Sequence, residues 1–296
     1  MASVTSEHTH TQRSRRRTFN LERVIGAVLR YGFLIILSIL FLLPFYIIVK
    51  NGLSTDQEIT SFHWSFWPST LHFENITELF NDPSAPFATG LMNSAIIAVT
   101  QVVGQLFFAS LAGYGLARIP SRFAKPLFYA ILATLLIPGA VTFVPTYVVV
   151  AYLGWVSTLQ GLIVPGLFNA FNTFIFRQTF LNFPRDLEDA GRVDGLNFWG
   201  VYWRIALPNS VPIMVALGAL TFIGSWNSFL WPLVIGQSDS TSYTVQVVLS
   251  TFLTAQTINL HELFIGAAIG ILPLVIIFLI MQRYIVQGVT QTGIRG

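Results

Sequence analysis

No charged residue interrupts the 51 positions between Lys125 and Arg177. Soluble chains carry about one charged residue in four, whereas here 10% are charged and 53% are hydrophobic. A bilayer-spanning helix needs about 20 mostly apolar residues, so this gap holds two spans, with Gly154, Trp155, Val156 and Ser157 offering the turn between them. The other gaps run 19 residues from Arg30 to Lys50, 35 from Asp82 to Arg118, 34 from Arg204 to Asp239 and 20 from Glu262 to Arg283. Together they predict an all-α, polytopic membrane protein with six transmembrane helices, at about 31–49, 91–117, 127–152, 159–181, 211–235 and 263–282. Residues 1–23 read as a basic tail and 24–296 as one transmembrane domain. The remaining charge-free stretch, Ser240–His261, is rich in Ser, Thr, Gln and Asn and reads as an aqueous, partly helical loop.

The first apolar run is longer than the core of a signal peptide and lacks a small-x-small cleavage site, so it reads as an uncleaved anchor. Basic residues stay on the cytoplasmic side. With six spans and both termini inside, 15 of the 16 Lys and Arg residues are cytoplasmic and only Lys50 is outside.

What the chain lacks narrows its chemistry. Its two lysines, Lys50 and Lys125, do not follow a glycine, so there is no GxxxxGK[ST] phosphate loop. HExxH, GxSxG and GxGxxG are absent, there is no cysteine, and the five histidines fall in tails or loops, so neither a metal nor a catalytic site is expected. A net charge of +3 does not suggest a nucleic-acid partner. The spans are almost free of ionisable groups, which disfavours proton-coupled transport. Their interior groups are neutral and polar, and Asn93, Gln101, Asn169, Asn172 and Asn227, with Trp226 as a stacking surface, are candidates for the path of an uncharged, hydroxyl-rich solute. Hydrogen bonding between helices is the competing account of the same residues.

The segment 182–209 is the longest loop predicted inside. Pro184 suits a helix start. Asp186, Glu188 and Asp189 complement the helix dipole. Gly195 suits a stop, and Asn197 can cap a second helix. Phe198, Val201, Tyr202 and Ile205 then share one apolar face, and Pro208 breaks the helix before the next span. The result is a helix–Gly–helix elbow whose apolar face needs cover from a neighbouring helix, the membrane surface or a docked soluble partner.

The run Glu188-Asp189-Ala190, Asp194-Gly195, nine residues, then Ile205-x-Leu207-Pro208 resembles the EAA loop of ABC importer permeases, whose pattern is E-A-A-x3-G-x9-I-x-L-P. In this reading Asp189 stands where a small residue is usual, and Gly191 follows Ala190. Pro145-Thr146-Tyr147, Pro165-Gly166-Leu167, Ser225-Trp226-Asn227, Phe229-Leu230-Trp231-Pro232-Leu233 and the ending from Gln282 through Gly288, Gly293 and Gly296 are similar to the carbohydrate-importing branch. Ser228 stands where that branch often has an acid. The likeness extends from about Phe33 to Gly296.

The resemblance implies a type I importer fold and a bacterial inner-membrane subunit. It implies a second homologous permease, two ABC ATPase subunits and an extracytoplasmic solute-binding protein as partners. No cofactor is expected on this chain, with ATP and Mg²⁺ held by the ATPases. The elbow would be the coupling helix, with Glu188 pairing to a basic group on the ATPase. A permease for amino acids or ions and an ion-coupled carrier are the alternatives. The 15-to-1 basic asymmetry makes the topology testable: reporter fusions after Arg17, Lys125, Asn197 and Arg295 should read cytoplasmic, and fusions near Glu74 and Thr244 external. An external reading at Asn197 contradicts the assignment of the elbow.

Overall fold

The computed structural model describes residues 21–236, 240–254 and 259–292. The Arg13–Arg17 cluster, Gly293, Arg295 and Gly296 lie outside them. The chain divides into two compact units, up to Ile47 and from Ile48 onward. The first is the body of helix α1 (Leu21–Gly52), which is long and apolar enough to cross a membrane.

The second unit contains no strand among its described residues. Its helices are α2 (Asp56–Thr60), α3 (Glu74–Asn81), α4 (Phe87–Arg118), α5 (Ala124–Thr134), α6 (Gly139–Tyr152), α7 (Leu159–Ile163), α8 (Ala170–Leu181) and α9 (Arg185–Val193). A composite helix follows over Phe198–Asn209, built from α10 (Phe198–Val201), a π turn (Tyr202–Ala206) and α11 (Leu207–Asn209). The last are α12 (Val211–Trp226), α13 (Leu230–Ile235), α14 (Val245–Thr254) and α15 (Leu260–Thr292).

Helix α4 is the axis of this unit. Its 32 residues contain no proline, and it packs along α8 and α12. Gly113 permits the crossing with α8, because a Cβ there would lie 2.6 Å from the Phe176 Cβ and 2.8 Å from the Arg177 backbone nitrogen. One apolar core sits toward the Phe87 end, built around Phe87, Phe222, Trp226, Val245 and Val248. A second sits toward the Arg118 end, built around Tyr114, Phe176, Phe180, Val201 and Tyr202. At the Phe87 end the Asn75 amide donates to the carbonyls of Gly52 and Ser54. The Glu58 carboxylate accepts the Ser69 hydroxyl and its backbone N–H at 2.9 Å. Those two bonds hold the Glu58 pKa below its ordinary value.

The spans are less regular than charge gaps suggest. Besides α1, the single helices long and apolar enough to cross a membrane are α4 and α15, the latter over Leu260–Gln282. Three bent pairs complete six spans if each pair counts as one: α5 with α6 at 98°, Leu159–Gly166 with α8 at 41°, and Phe198–Asn209 with α12 at 74°. The expected straight span at 127–152 is therefore broken. Pro138 pushes the residue before it toward extended backbone and begins α6 as its N-cap. The expected span at 211–235 stops at Trp226 and restarts at Leu230. An unbroken helix would set the Pro232 ring against the Ser228 carbonyl, whereas the restart puts Pro232 in a first turn, where no N–H is needed.

Two further expectations are corrected. Pro208 does not break its helix; the 74° bend falls at Ser210. The π turn just before Pro208, closed by the Leu207 N–H on the Tyr202 carbonyl, widens the backbone where the proline ring would otherwise clash. The stretch from Ser240 is not a solvated loop throughout, because Val245, Val247, Val248 and Phe252 of α14 are buried. The Ser94 hydroxyl accepts the Val245 N–H at 2.9 Å, which fixes the start of α14 against α4.

Candidate functional site: an elbow and a neutral cavity joined by one helix

The elbow forms as its residues dictate. Pro184 precedes α9 at the N-cap, and the acids Asp186 and Glu188 occupy the first turn. At the other end Gly195 has φ +85°. The Gly195 N–H bonds to the Arg192 carbonyl at 3.0 Å and the Leu196 N–H to the Gly191 carbonyl at 2.9 Å, the paired bonds of a Schellman motif. Nothing crowds a Cβ at Gly195, so the demand for glycine is conformational. Asn197 then caps the second arm, its side-chain oxygen accepting the Gly200 N–H at 2.8 Å.

The apolar face of the second arm is covered by the chain itself. Val201 and Tyr202 are buried against Tyr114 of α4 and Phe176 and Phe180 of α8, and Ile205 packs against the same core. Phe198 alone of that face is exposed, with Arg192 over its ring at 4.8 Å. The exposed apolar side chains of the elbow are Leu187, Val193, Phe198, Trp199 and Trp203.

Glu188 is placed differently from the expectation. Its side chain is 3% exposed and pairs with Arg118, also buried at 5%, through Nε at 3.0 Å. It faces Arg118 of α4. Asp189, one residue on, has a side chain 64% exposed, 3.6 Å from Arg192. Counting the pattern E-A-A-x3-G back from Gly195 also arrives at Asp189, with Ala190 and Gly191 as the two small residues. Gly191 packs against Ile205: a Cβ there would meet the end of that side chain, 2.4 Å from its Cδ1, and the Ile205 side chain would have to shift. The register that begins at Glu188 is therefore one residue early. Asp194 is the C-cap of α9, and Leu207 and Pro208 form the foot of the composite helix.

The second feature is an open cavity of about 490 Å³ bordered by α4, α6, α8 and α12 and by the Leu162–Gly166 and Ser228–Trp231 stretches. Gln101, Asn169 and Asn172 line it, together with Gln105, Thr142, Thr146, Thr221 and Ser225. No ionisable side chain lines it among the described residues. Gln105 is its hub: its oxygen accepts the Asn172 amide at 2.9 Å and the Thr221 hydroxyl at 3.2 Å, while its nitrogen donates to the Gly166 carbonyl at 2.6 Å. Gln101 donates to the Leu162 carbonyl at 3.2 Å. Asn169 caps α8, accepting the Asn172 N–H at 3.0 Å. The Ser225 hydroxyl is buried and has no hydrogen-bond partner among the described residues.

Three sequence candidates are not in the lining. Asn93 donates to the carbonyls of Thr241 and Tyr243 at 2.7 and 2.9 Å. Trp226 is 2% exposed, stacks on Phe222 and donates its indole N–H to the Gly270 carbonyl at 3.0 Å, so its ring faces are covered. Asn227 is exposed and its side-chain oxygen accepts from Gln246 at 3.4 Å. The cavity's aromatic surface instead comes from Phe143, Phe171 and Trp231, the last oriented by its N–H on the Gly161 carbonyl at 3.0 Å and by Phe143 edge-on at 5.4 Å. Thr142 and Thr146, one turn apart on α6, were also missed; their i, i+4 spacing next to Pro145 is the signal that marks one polar face.

The geometry thus shows a helical unit with a neutral polar cavity and a structured elbow beside one long helix, α4. The chain belongs to the family of binding-protein-dependent transport system inner membrane components, whose model matches residues 105–291. It is 33% identical over 266 residues to the arabinooligosaccharides transport system permease protein AraQ of Bacillus subtilis, covering 89% of this chain and 94% of the relative. It is 31% identical to the lactose transport system permease protein LacG of Rhizobium radiobacter, covering 90% and 96%. To the sn-glycerol-3-phosphate transport system permease protein UgpE of Yersinia pestis it is 29% identical, covering 88% and 94%. A chain in the crystal structure of a bacterial ABC transporter that imports the acidic polysaccharide alginate has the same fold, with a TM-score of 0.78 at 21% identity, covering 90% of this chain and 98% of that one.

The backbone at Gly195 yields a direct expectation. Gly195→Val forces a β-branched residue into positive φ and should cost about 1–3 kcal/mol, read as a lower thermal midpoint and faster protease cleavage within the elbow. Gly195→Asn, which tolerates that conformation, should lie close to the parent. Equal stability of the valine variant contradicts the strained turn.

Proposed function

We propose that the chain is a permease subunit of an ATP-driven importer for sugars or sugar derivatives. The observation that carries this reading is the cavity: amides and hydroxyls, no fixed charge, and aromatic surface from Trp231, Phe143 and Phe171. A charged amino acid or ion is favoured by counter-charges, and the lining supplies none. Amides and hydroxyls both donate and accept, which suits a solute bearing many hydroxyl groups. The cavity volume lies within the range of small-molecule sites. The relatives named for arabinooligosaccharides and lactose support the same cargo class.

The elbow end is cytoplasmic in this reading, as the basic residues imply, and both termini share that side. A second permease completes the pathway, a binding protein delivers solute at the opposite end, and ATPase subunits holding ATP and Mg²⁺ seat the elbow. Leu187, Val193, Asp189 and Trp199 form the surface offered to the ATPase. ATP-driven closure of the ATPases acts on this chain only through differential contacts with the elbow in the two states. No cofactor belongs to this chain.

The test is ATP-dependent uptake by the reconstituted complex, with neutral sugars competing against amino acids. Sugar uptake supports the reading; uptake of amino acids with no response to sugars overturns it. Thr142→Val removes one hydroxyl from the cavity. It should cost about 0.5–1.5 kcal/mol of solute affinity, roughly three- to tenfold, while the complex assembles as before. Asn227→Ala lies outside the cavity and should change half-saturation little. The reverse ranking moves the solute path away from this cavity.

A further inference from the structure

Both covalent connections of the elbow are breaks. The first arm joins α8 through Asn182–Pro184, where the chain leaves the helix. The second arm joins α12 through Ser210, at a 74° bend. Neither connection can set the orientation of the elbow by itself, so lateral contacts must do so.

Beside the packing on Phe176 and Phe180 of α8, a set of these contacts comes from one stripe of α4. Ser110, Tyr114 and Arg118 are spaced i, i+4, i+8 and share a face. The Ser110 hydroxyl is 2.8 Å from the Tyr202 hydroxyl. The Tyr114 ring lies 5.3 Å from the Tyr202 ring and edge-on to Phe180 at 5.4 Å. Arg118 Nε is 3.0 Å from the Glu188 carboxylate, and its guanidinium also donates to the Phe183 carbonyl. The upper two rungs hold the second arm, and Arg118 holds the first arm together with its link to α8. Further along the same uninterrupted helix are Gln105 and Gln101, in the wall of the cavity. From Gln101 to Arg118 is about 25 Å of helix at 1.5 Å per residue.

Among the rungs Arg118 is the one with a fixed geometry. Aromatic contacts tolerate sliding, whereas a guanidinium that donates to the Phe183 carbonyl and lies 3.0 Å from a buried carboxylate, an ion pair without a hydrogen bond at that Nε, loses electrostatic energy when it shifts. Its partner Glu188 is nearly sealed from water, so separating the two would leave a buried charge with only the more distant, half-exposed Arg192 at 3.9 Å to offset it.

We propose that Arg118 is the positioning residue of the coupling elbow: by gripping Glu188 and the Phe183 carbonyl it makes the elbow and the α4 wall of the cavity move as one body. This rests on the reading of the elbow as the ATPase contact. Arg118 touches neither solute nor nucleotide; it decides whether motion of the elbow arrives at Gln101 and Gln105.

The experiment uses the full complex, with its partner permease, ATPase subunits and binding protein, in proteoliposomes. It reads solute imported per ATP hydrolysed, next to recovery of ATPase with the permease. Two variants are compared with the parent. Arg118→Lys keeps the charge and loses the double contact. The double variant Arg118→Met with Glu188→Leu replaces the buried pair by apolar side chains, an exchange that leaves no orphaned charge and is often neutral for folding. The expected result is normal ATPase recovery and continued hydrolysis, with import per ATP lowered about fivefold or more, the lower bound of ordinary coupling between sites. A merely structural role would lower recovery, import and hydrolysis together and leave their ratio unchanged. An unchanged ratio in Arg118→Lys overturns the proposal, whether or not the double variant assembles. If the parent complex itself shows no ATP-driven import of any sugar, the permease reading fails, which is a separate result from an unchanged ratio in an active complex.

Discussion

A carboxylate and a guanidinium shut away from water at the foot of α4 determine how the rest of this chain is organised. Each ion loses its hydration, a cost of several kcal/mol that only close pairing and further hydrogen bonds offset. Arg118 meets that requirement by binding Glu188 and the Phe183 carbonyl together, and Arg192 adds a second cation 3.9 Å from Glu188. Glu188 is held by the nearness of two cations and by burial, without a hydrogen bond between Arg118 Nε and its Oε1. The elbow is therefore seated in one orientation against α4, although the chain enters and leaves it through broken helix.

The same helix carries the opposite electrostatic solution at its middle. Around the cavity no charge needs pairing, and Gln105 instead ties α4 to Asn172, Thr221 and the Gly166 carbonyl with neutral bonds. Amide and hydroxyl groups exchange partners at lower cost than ions do. A wall made of such groups can accept hydroxyls from a solute and release them, which a wall holding fixed counter-charges does less readily for a neutral molecule. One rigid helix thus joins a charged clamp that resists rearrangement to a neutral surface that permits it.

Much of this was legible in the residues. Gly195 and Asn197 marked the elbow because a left-handed turn and a helix cap each demand particular side chains. Charge gaps found the apolar segments because ionised groups are excluded from lipid. The gaps said nothing of breaks inside a segment: Pro138 and Pro232 carry no charge, and their effect depends on whether they fall in a first turn. Direction of burial was also hidden. Glu188 and Asp189 are adjacent acids on an exposed-looking helix, and only the position of Arg118, 70 residues away, turns the first inward. Trp226 and Trp231 pose the same problem. Both lie on a short aromatic run, and packing against Phe222 and α15 covers the first while the break at Asn227 turns the second into the cavity.

The chain contains no cysteine, so spin labels can be placed at two chosen positions without further changes. Val193, at the tip of the elbow, and Val103, on α4 between Gln101 and Gln105, are both well exposed. The most direct test is the distance between labels at these positions in the assembled complex, compared between nucleotide-free and ATP-bound states. A rigid elbow–α4 body predicts the same distance distribution in both states, while a label pair from Val193 to Val141 of α6 shifts. A Val193–Val103 distance that changes between the states would show the elbow moving independently of α4 and would contradict the account.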